Sequence, residues 1–112
     1  MSEQTDLTEQ NQVMYDEAVK ALMKVYDPEI PVNVWLLGLI YEVQPSVERK
    51  HIDVVMTLTS PACPVAGSIV VEIEYRLLAI EGVETVNVEL TWDPPWSPEM
   101  MSEDARLELG YL

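Results

Sequence analysis

A pattern of strand residues in this chain changes into a pattern of helix residues across a short turn. Between His51 and Thr59 the apolar residues alternate, as they do in a strand with one buried face. From Val65 onward they recur every three or four positions, as they do on the buried side of a helix. The sequence therefore predicts a strand that turns directly into a helix, and this unit favours a fold in which helices cover a sheet.

The remaining elements are predicted in a regular order around this unit. A polar turn over 45–50 joins the first two strands as an antiparallel hairpin. The strand, helix and strand that follow favour a right-handed crossover, which places the second and third strands parallel. We predict a two-layer α+β fold with a small mixed sheet, helices packed on one face, and the order α-β-β-α-β plus a short C-terminal helix. The predicted bounds are a helix to about residue 26, strands over 34–43 and 51–59, a helix over 64–81, a strand over 83–92 and a helix after residue 102.

Single residues mark the ends of these elements. Asp27 precedes a proline and is predicted to end the first helix. Gly82 is predicted to close the second helix in a left-handed conformation. Ser102 is predicted to cap the last helix, which Gly110 closes. Trp92 continues the alternation of the third strand and is therefore predicted to lie in the core.

The length and charge of the chain restrict its function. Its 112 residues suit one domain, which we predict over 13–112 after a flexible polar tail over 1–12. Twenty acidic residues against six basic ones give a formal charge of −14, which disfavours binding to nucleic acid or to an anionic membrane surface. No apolar run is long enough to span a membrane, and the acidic N-terminus is unlike a signal peptide. A single cysteine forms no internal disulfide, so a cytoplasmic protein is predicted.

The single cysteine, Cys63, lies at the predicted start of the second helix. Pro64 beside it suits the first helical position. Unpaired amides and the helix dipole at that position would stabilise a thiolate, which is a ligand for iron, zinc or cuprous copper. The alternative is a small buried apolar side chain. Because an iron–sulfur cluster normally takes four protein ligands, one thiolate would have to share it with a second subunit, a partner or a small thiol. A homodimer would supply two thiolates.

Four segments, in order, resemble the motifs of the SufT/PaaD-like family of iron–sulfur assembly proteins, whose eukaryotic relatives act in cytosolic iron–sulfur protein maturation. The resemblance covers nearly the whole chain beyond the first dozen residues. One departure is Ala62, where many relatives have glycine, and we expect a slightly stiffer turn there. The four segments are Tyr26–Asn33, Leu37–Tyr41, Thr57–Pro64 and Trp92–Trp96.

The resemblance implies a non-enzymatic accessory factor in iron–sulfur cluster assembly or transfer, in which Cys63 contacts metal, cluster or a partner's thiol. On this basis alone, Asp27, Glu29, Thr59 and Ser60 are predicted to line the site around the cysteine. Carboxylates beside the thiol would raise its pKa, against the effect of the helix dipole. The implied partners are SUF assembly proteins, a P-loop scaffold ATPase or apo-protein clients. The implied cargo is a transient cluster or iron, and no cofactor is required for folding.

Three further features have structural and functional interpretations. Trp96 falls in a proline-rich loop, where it would anchor a partner or pack over the sheet edge. His51 is the only histidine and is predicted to lie at the surface. With no acid at an evident ligand or triad spacing, zinc hydrolase and Cys–His mechanisms lack support. Met100 and Met101 are soft potential metal ligands, but adjacent methionines in a loop more often fill gaps in the packing, which is the interpretation we favour.

Two alternative functions remain open from the sequence. One is a PaaD-like subunit that supports the multicomponent oxygenase of phenylacetate degradation, as the same family resemblance implies. The other is a thiol enzyme with Cys63 as its nucleophile, for which the sequence offers no identifiable general base.

Overall fold

The computed structural model describes residues 3–27, 31–59 and 66–110. Helices and strands follow one another along these residues in the predicted order, and a single helical turn precedes the last helix. The elements are α1 (Glu3–Leu22), β1 (Ile40–Ser46), β2 (His51–Met56), α2 (Ala66–Leu78), β3 (Thr85–Leu90), a 3-10 turn (Pro98–Met100) and α3 (Glu103–Glu108).

The three strands form one sheet with β2 in the centre. β1 pairs with β2 in the antiparallel direction, and β3 pairs with β2 in the parallel direction. Val54 in the middle of β2 lies between Val43 and Val88. The predicted hairpin and the predicted crossover are both confirmed, and with them the mixed sheet.

The two longer helices lie against one face of this sheet. Alternate residues of β2 are buried on that face, where they meet apolar residues of α1 and α2. The opposite face carries polar side chains, including Glu42, Asp53 and Asn87. This two-layer arrangement confirms the predicted α+β class. The fully buried side chains of the core include Ala18 and Leu22 of α1, Ile52 and Met56 of β2, and Ile73 and Leu77 of α2.

The first helix differs from its prediction at both ends. It begins at Glu3, so residues 3–12, which we assigned to a tail, lie within α1. Asn11 contacts the rest of the fold, because its Oδ1 accepts a hydrogen bond of 2.9 Å from the amide of Val47. The helix ends at Leu22, earlier than predicted, because the following backbone pairs with another segment: the amide of Val34 donates to the carbonyl of Val25 at 2.8 Å.

The first strand begins later in the chain than the sequence pattern predicts. It begins at Ile40 and not at residue 34, since residues 34–38 form a turn. Asn33 stabilises this turn by accepting a hydrogen bond of 2.9 Å from the amide of Leu36, and Gly38 adopts a φ of +79° within it. The strand also extends through Pro45, which we placed in the polar turn. A proline is tolerated there because β1 is an edge strand.

The later elements are shorter than predicted. β2 stops at Met56, α2 stops at Leu78, and β3 spans only Thr85–Leu90. The first two predicted residues of the second helix lie outside the described residues. Gly82 has the predicted left-handed conformation, with a φ of +91°, but it lies in the turn that follows α2 and does not cap that helix.

The last helix is confirmed, whereas the predicted burial of one tryptophan is wrong. The Oγ of Ser102 accepts a hydrogen bond of 3.1 Å from the amide of Ala105, and Gly110 has a φ of +82°. Trp92 is 43% exposed. It follows β3, an edge strand, where alternation no longer guarantees that another element covers the side chain.

Candidate functional site

The predicted site residues lie at or beyond the ends of two described segments, 3–27 and 31–59. Asp27 and Thr59 are described, whereas Glu29, Ser60 and Cys63 lie outside the described residues. Asp27 is only 5% exposed, and Thr59 is half-buried. The gathering of all five residues around the cysteine therefore stays a prediction.

The segment that ends at Asp27 is held by a short antiparallel pairing. Tyr26 forms an isolated bridge with Asn33, and the amide of Asp27 donates to the carbonyl of Val32 at 3.4 Å. Val32 is itself 2% exposed, so this pairing is anchored in the core. The backbone on both sides of the predicted acidic loop is therefore fixed, which limits the positions that Asp27 can occupy.

Backbone hydrogen bonds to segments on both sides hold the end of β2, just before the predicted cysteine loop. The amide of Thr57 donates to the carbonyl of Leu39 at 2.8 Å, and the amide of Thr91 donates to the carbonyl of Met56 at 2.8 Å. Thr57 is completely buried, and its Oγ1 has no hydrogen-bond partner in the part of the chain that the structure describes. A buried hydroxyl without a partner costs about 1–3 kcal/mol. Sequence reasoning did not single out this residue, although it begins one of the quoted motifs.

Residues 94–102, which we call the C-terminal cover, pack over the turn that precedes β1. The indole Nε1 of Trp96 donates to the carbonyl of Leu37 at 2.7 Å, and the amide of Ser102 donates to the carbonyl of Leu36 at 2.8 Å. Trp96 is half-buried against the core, in keeping with the packing interpretation. Its use as a docking residue stays a prediction.

The side chain of Tyr41 makes further contacts with this cover. Its hydroxyl donates to the carbonyl of Pro94 at 2.7 Å and lies 3.6 Å from the Sδ of Met100. Met101 is 5% exposed and belongs to the core. Both methionines therefore fill space, as predicted.

His51 is part of a polar cluster on the outer face of the sheet. Its Nδ1 lies 2.7 Å from Thr85 Oγ1, and its Nε2 lies 3.0 Å from Asp53 Oδ1. The hydrogen bond with His51 is the main cause that lowers the pKa of Asp53, against the opposing effect of burial. Sequence reasoning missed Asp53, although residues two apart on a strand share a face. Both ring nitrogens are engaged, which is typical of a structural histidine.

The described residues contain no group of three histidine, cysteine, aspartate or glutamate side chains arranged to hold a metal ion. Nor does any helix among them combine the length and apolarity needed to cross a membrane.

The family model described as "Iron-sulfur cluster assembly protein" matches residues 16–90. The chain belongs to this family. The matched region runs from α1 through β3 and includes the predicted site residues Asp27, Thr59 and Cys63. The C-terminal cover lies beyond it. The family predicted from the motifs is therefore confirmed.

Individual members of the iron–sulfur cluster assembly family are similar over most of this chain. An Fe-S protein maturation auxiliary factor of Porphyromonas gingivalis is 46% identical over 97 residues, which are 87% of this chain and 91% of that protein. The maturation auxiliary factor SufT of Staphylococcus aureus is 37% identical over 87 residues, 77% of this chain and 97% of that protein.

A longer relative and a solved structure extend the comparison. An iron–sulfur cluster carrier protein of Deinococcus radiodurans is 36% identical over 76 residues, which are 68% of this chain but 21% of that protein. The crystal structure of a DUF59 domain of unknown function from Bacillus anthracis superposes with a TM-score of 0.86 at 34% identity. It covers 94% of this chain and 99% of that one.

Proposed function

We propose that this protein is a non-enzymatic accessory factor in the assembly of iron–sulfur clusters or their transfer to other proteins. The observation that carries this proposal is the family match over 16–90, together with relatives named as Fe-S protein maturation auxiliary factors. A further relative is named as a cluster carrier. In this role the cluster, or its iron, is cargo and not a resident part of the protein.

Cys63 is the residue that would contact the cargo or a partner's thiol. It is the only cysteine of the chain, and a thiolate is the usual protein ligand of iron–sulfur clusters. A single thiolate leaves most cluster positions to other ligands, so the cluster is held jointly with a second copy of the chain, a partner or a small thiol. Asp27, Glu29, Thr59 and Ser60 would line this site.

The proposed setting is the cytoplasm, with iron–sulfur assembly proteins of the SUF type, a P-loop scaffold ATPase or apo-protein clients as partners. The relatives' names describe maturation of iron–sulfur proteins and favour this role over that of a subunit for a single oxygenase pathway. Among the described residues, His51 has both ring nitrogens hydrogen-bonded and is poorly suited to act as a base for a thiol enzyme.

Anaerobic reconstitution with ferrous iron and sulfide tests the role of the cysteine. We expect the wild-type protein to retain a cluster, measured by its absorption spectrum and by native mass, and Cys63→Ala to retain none. Because the chain has one cysteine, the double variant Cys63→Ala/Glu89→Cys is a matched control. It carries one thiol on the exposed outer face of β3. Equal retention by the control or by Cys63→Ala would contradict the assignment.

A cellular measurement tests the accessory role separately. We expect a strain that carries Cys63→Ser to lose activity of its iron–sulfur enzymes while the level of the variant protein stays unchanged. Full activity of these enzymes in that strain would refute the use of Cys63 in maturation, even if the purified protein retains a cluster.

A further inference from the structure

A groove of about 690 Å³ runs between α1 and α2 on the surface of the helical layer. Val13 and Lys20 line it on α1, Lys24 lines it from the turn after that helix, and Tyr75 and Arg76 line it on α2. It continues into an adjoining hollow of about 480 Å³, which shares Val13 with it. We call both together the helix groove.

The helix groove has apolar side chains that no other part of the described structure covers. Tyr75 is 75% exposed and Val13 is 62% exposed. Val71, one turn before Tyr75 on α2, is 63% exposed and lines a neighbouring hollow with it. Because α2 already buries Ile73 and Leu77 in the core, it carries a second apolar surface that packing of the monomer does not use. Exposed apolar surface of this kind marks protein interaction sites.

The charge of the helix groove differs from that of the rest of the chain. Four of the six basic residues line it, whereas three of the twenty acidic residues do so. Lys24 takes part in no ion pair among the described residues. The basic residues of the groove are Lys20, Lys24, Lys50 and Arg76, and the acidic ones are Glu9, Glu17 and Glu81.

The ion pairs that these basic residues form are weak enough to exchange partners. Lys20 lies 3.4 Å from Glu17, and Arg76 lies 3.0 Å from Glu72. Both are exposed pairs within one helix, which contribute only about 0.3–0.5 kcal/mol. A carboxylate from outside can therefore replace the local partner at little cost.

We propose that the helix groove binds an acidic amphipathic helix of a partner protein. The apolar side of that helix would pack on Tyr75 and Val13, and its carboxylates would pair with Lys20, Lys24 and Arg76. This is helix-in-groove recognition, in which apolar anchors at helical spacing fill a groove and charges at its rim set the specificity.

Charge complementarity selects this occupant. A chain of net charge −14 repels an acidic segment over most of its surface, so the basic groove is where such a segment docks. Screening limits the repulsion from distant acids, because the Debye length is about 8 Å at physiological salt. A second copy of the chain is disfavoured as the occupant of the groove, because a symmetric groove-to-groove contact would bring the same basic residues of both copies together. The proposal does not depend on the role of Cys63.

Fluorescence anisotropy with a designed peptide tests this proposal on the full chain. The probe is a labelled 18-residue helical peptide with leucine on one face and glutamate on the other, and a second peptide has lysine at every glutamate position. We expect saturable binding of the glutamate peptide in the micromolar range and weaker binding of the lysine peptide. Tyr75→Ser should weaken the affinity for the glutamate peptide about tenfold, as expected for a truncated aromatic anchor.

Two charge-reversal variants distinguish the effect of the charge in the groove on peptide binding from the effect of the net charge of the chain. Lys24→Glu lies in the groove, whereas Arg106→Glu makes the same change in net charge on α3, outside it. We expect Lys24→Glu to weaken binding of the glutamate peptide about fivefold or more, as for a lost ion pair joined by a repulsion. Arg106→Glu should stay within about twofold of wild type. Circular dichroism of each variant confirms that it is folded.

Three outcomes would overturn the proposal. Binding of the lysine peptide as tight as that of the glutamate peptide would mean that net charge governs association. Equal losses for Lys24→Glu and Arg106→Glu would place the peptide elsewhere. A dimer in sedimentation that Tyr75→Ser abolishes would make a second copy of the chain the occupant.

Discussion

Substitution of Gly38 by alanine should destabilise the fold by about 2–5 kcal/mol. The backbone at Gly38 has a φ of +79°, which costs an L-residue about 1–2 kcal/mol. An added Cβ would also overlap the carbonyl oxygen of Met100 and lie within 2.8 Å of its carbonyl carbon. Because backbone atoms cannot rotate away as a side chain can, the overlap forces the C-terminal cover outward, at a cost of about 1–3 kcal/mol for overpacking.

Gly82→Ala is the matched control for this prediction. Gly82 has a φ of +91°, but nothing lies within 4 Å of an added Cβ, so this variant measures the backbone conformation alone. Urea unfolding followed by tryptophan fluorescence gives both free energies. We expect Gly38→Ala to lose about 1–3 kcal/mol more than Gly82→Ala, which moves its midpoint lower by roughly 0.5–1.5 M.

Amide hydrogen exchange gives a second readout of the same prediction. The amide of Ser102, which donates to the carbonyl of Leu36, should exchange faster in Gly38→Ala than in Gly82→Ala. Equal losses of stability in the two variants, with unchanged exchange at Ser102, would refute the idea that the cover closes directly on Gly38.

Two further predictions concern polar side chains of β2. Thr57→Val removes a buried hydroxyl without a partner among the described residues and should raise the free energy of unfolding by about 1–2 kcal/mol; a loss of stability would mean that Oγ1 is satisfied in solution. The hydrogen bond with His51 lowers the pKa of Asp53 in the folded protein below its ordinary 3.8. The ionised carboxylate therefore stabilises the fold above pH 3.8, and this stabilisation is lost as the pH falls through the lowered pKa. Asp53→Asn should therefore cost up to about 1 kcal/mol at pH 5 and nothing at the lowest pH; a difference independent of pH in urea unfolding would contradict this account.

The segment from residue 34 to residue 39 illustrates where reasoning from the sequence failed. Val34, Leu37 and Leu39 are all completely buried, as the apolar pattern indicated, but the segment is mostly turn. Burial sets the pattern of apolar residues, whereas a strand also needs a neighbour with which to form a ladder. Here the side chain of Asn33 and the positive φ of Gly38 favour a turn over a strand.

The two tryptophans after β3 show the same limit. Alternation along β3 predicted that Trp92 is buried, and it is exposed, whereas the loop residue Trp96 is half-buried. The partner of Trp96 is the carbonyl of Leu37, 59 residues earlier in the chain. A contact at that separation depends on how the elements pack, and no local pattern encodes it.

Some features of the candidate site could be predicted from the sequence, whereas others became visible only in the structure. Ordered motifs were enough to predict the family and to single out Cys63, because a motif keeps the residue types that a chemistry needs. The cluster of His51 with Thr85 and Asp53, the buried hydroxyl of Thr57 and the helix groove appeared only in the structure. Each depends on residues brought together from different elements.

By itself, the sequence determined the order of the elements, the hairpin, the parallel crossover, and the residues that cap and close the last helix, Ser102 and Gly110. These follow from the spacing of apolar residues and from the conformations that glycine and serine favour, which act between near neighbours. Only the tertiary structure decided where α1 and β1 begin, how the C-terminal cover closes on Gly38, and which basic residues meet in the helix groove. Those outcomes depend on pairing and packing between residues far apart in the chain. Such contacts contribute to stability only after the elements have packed together.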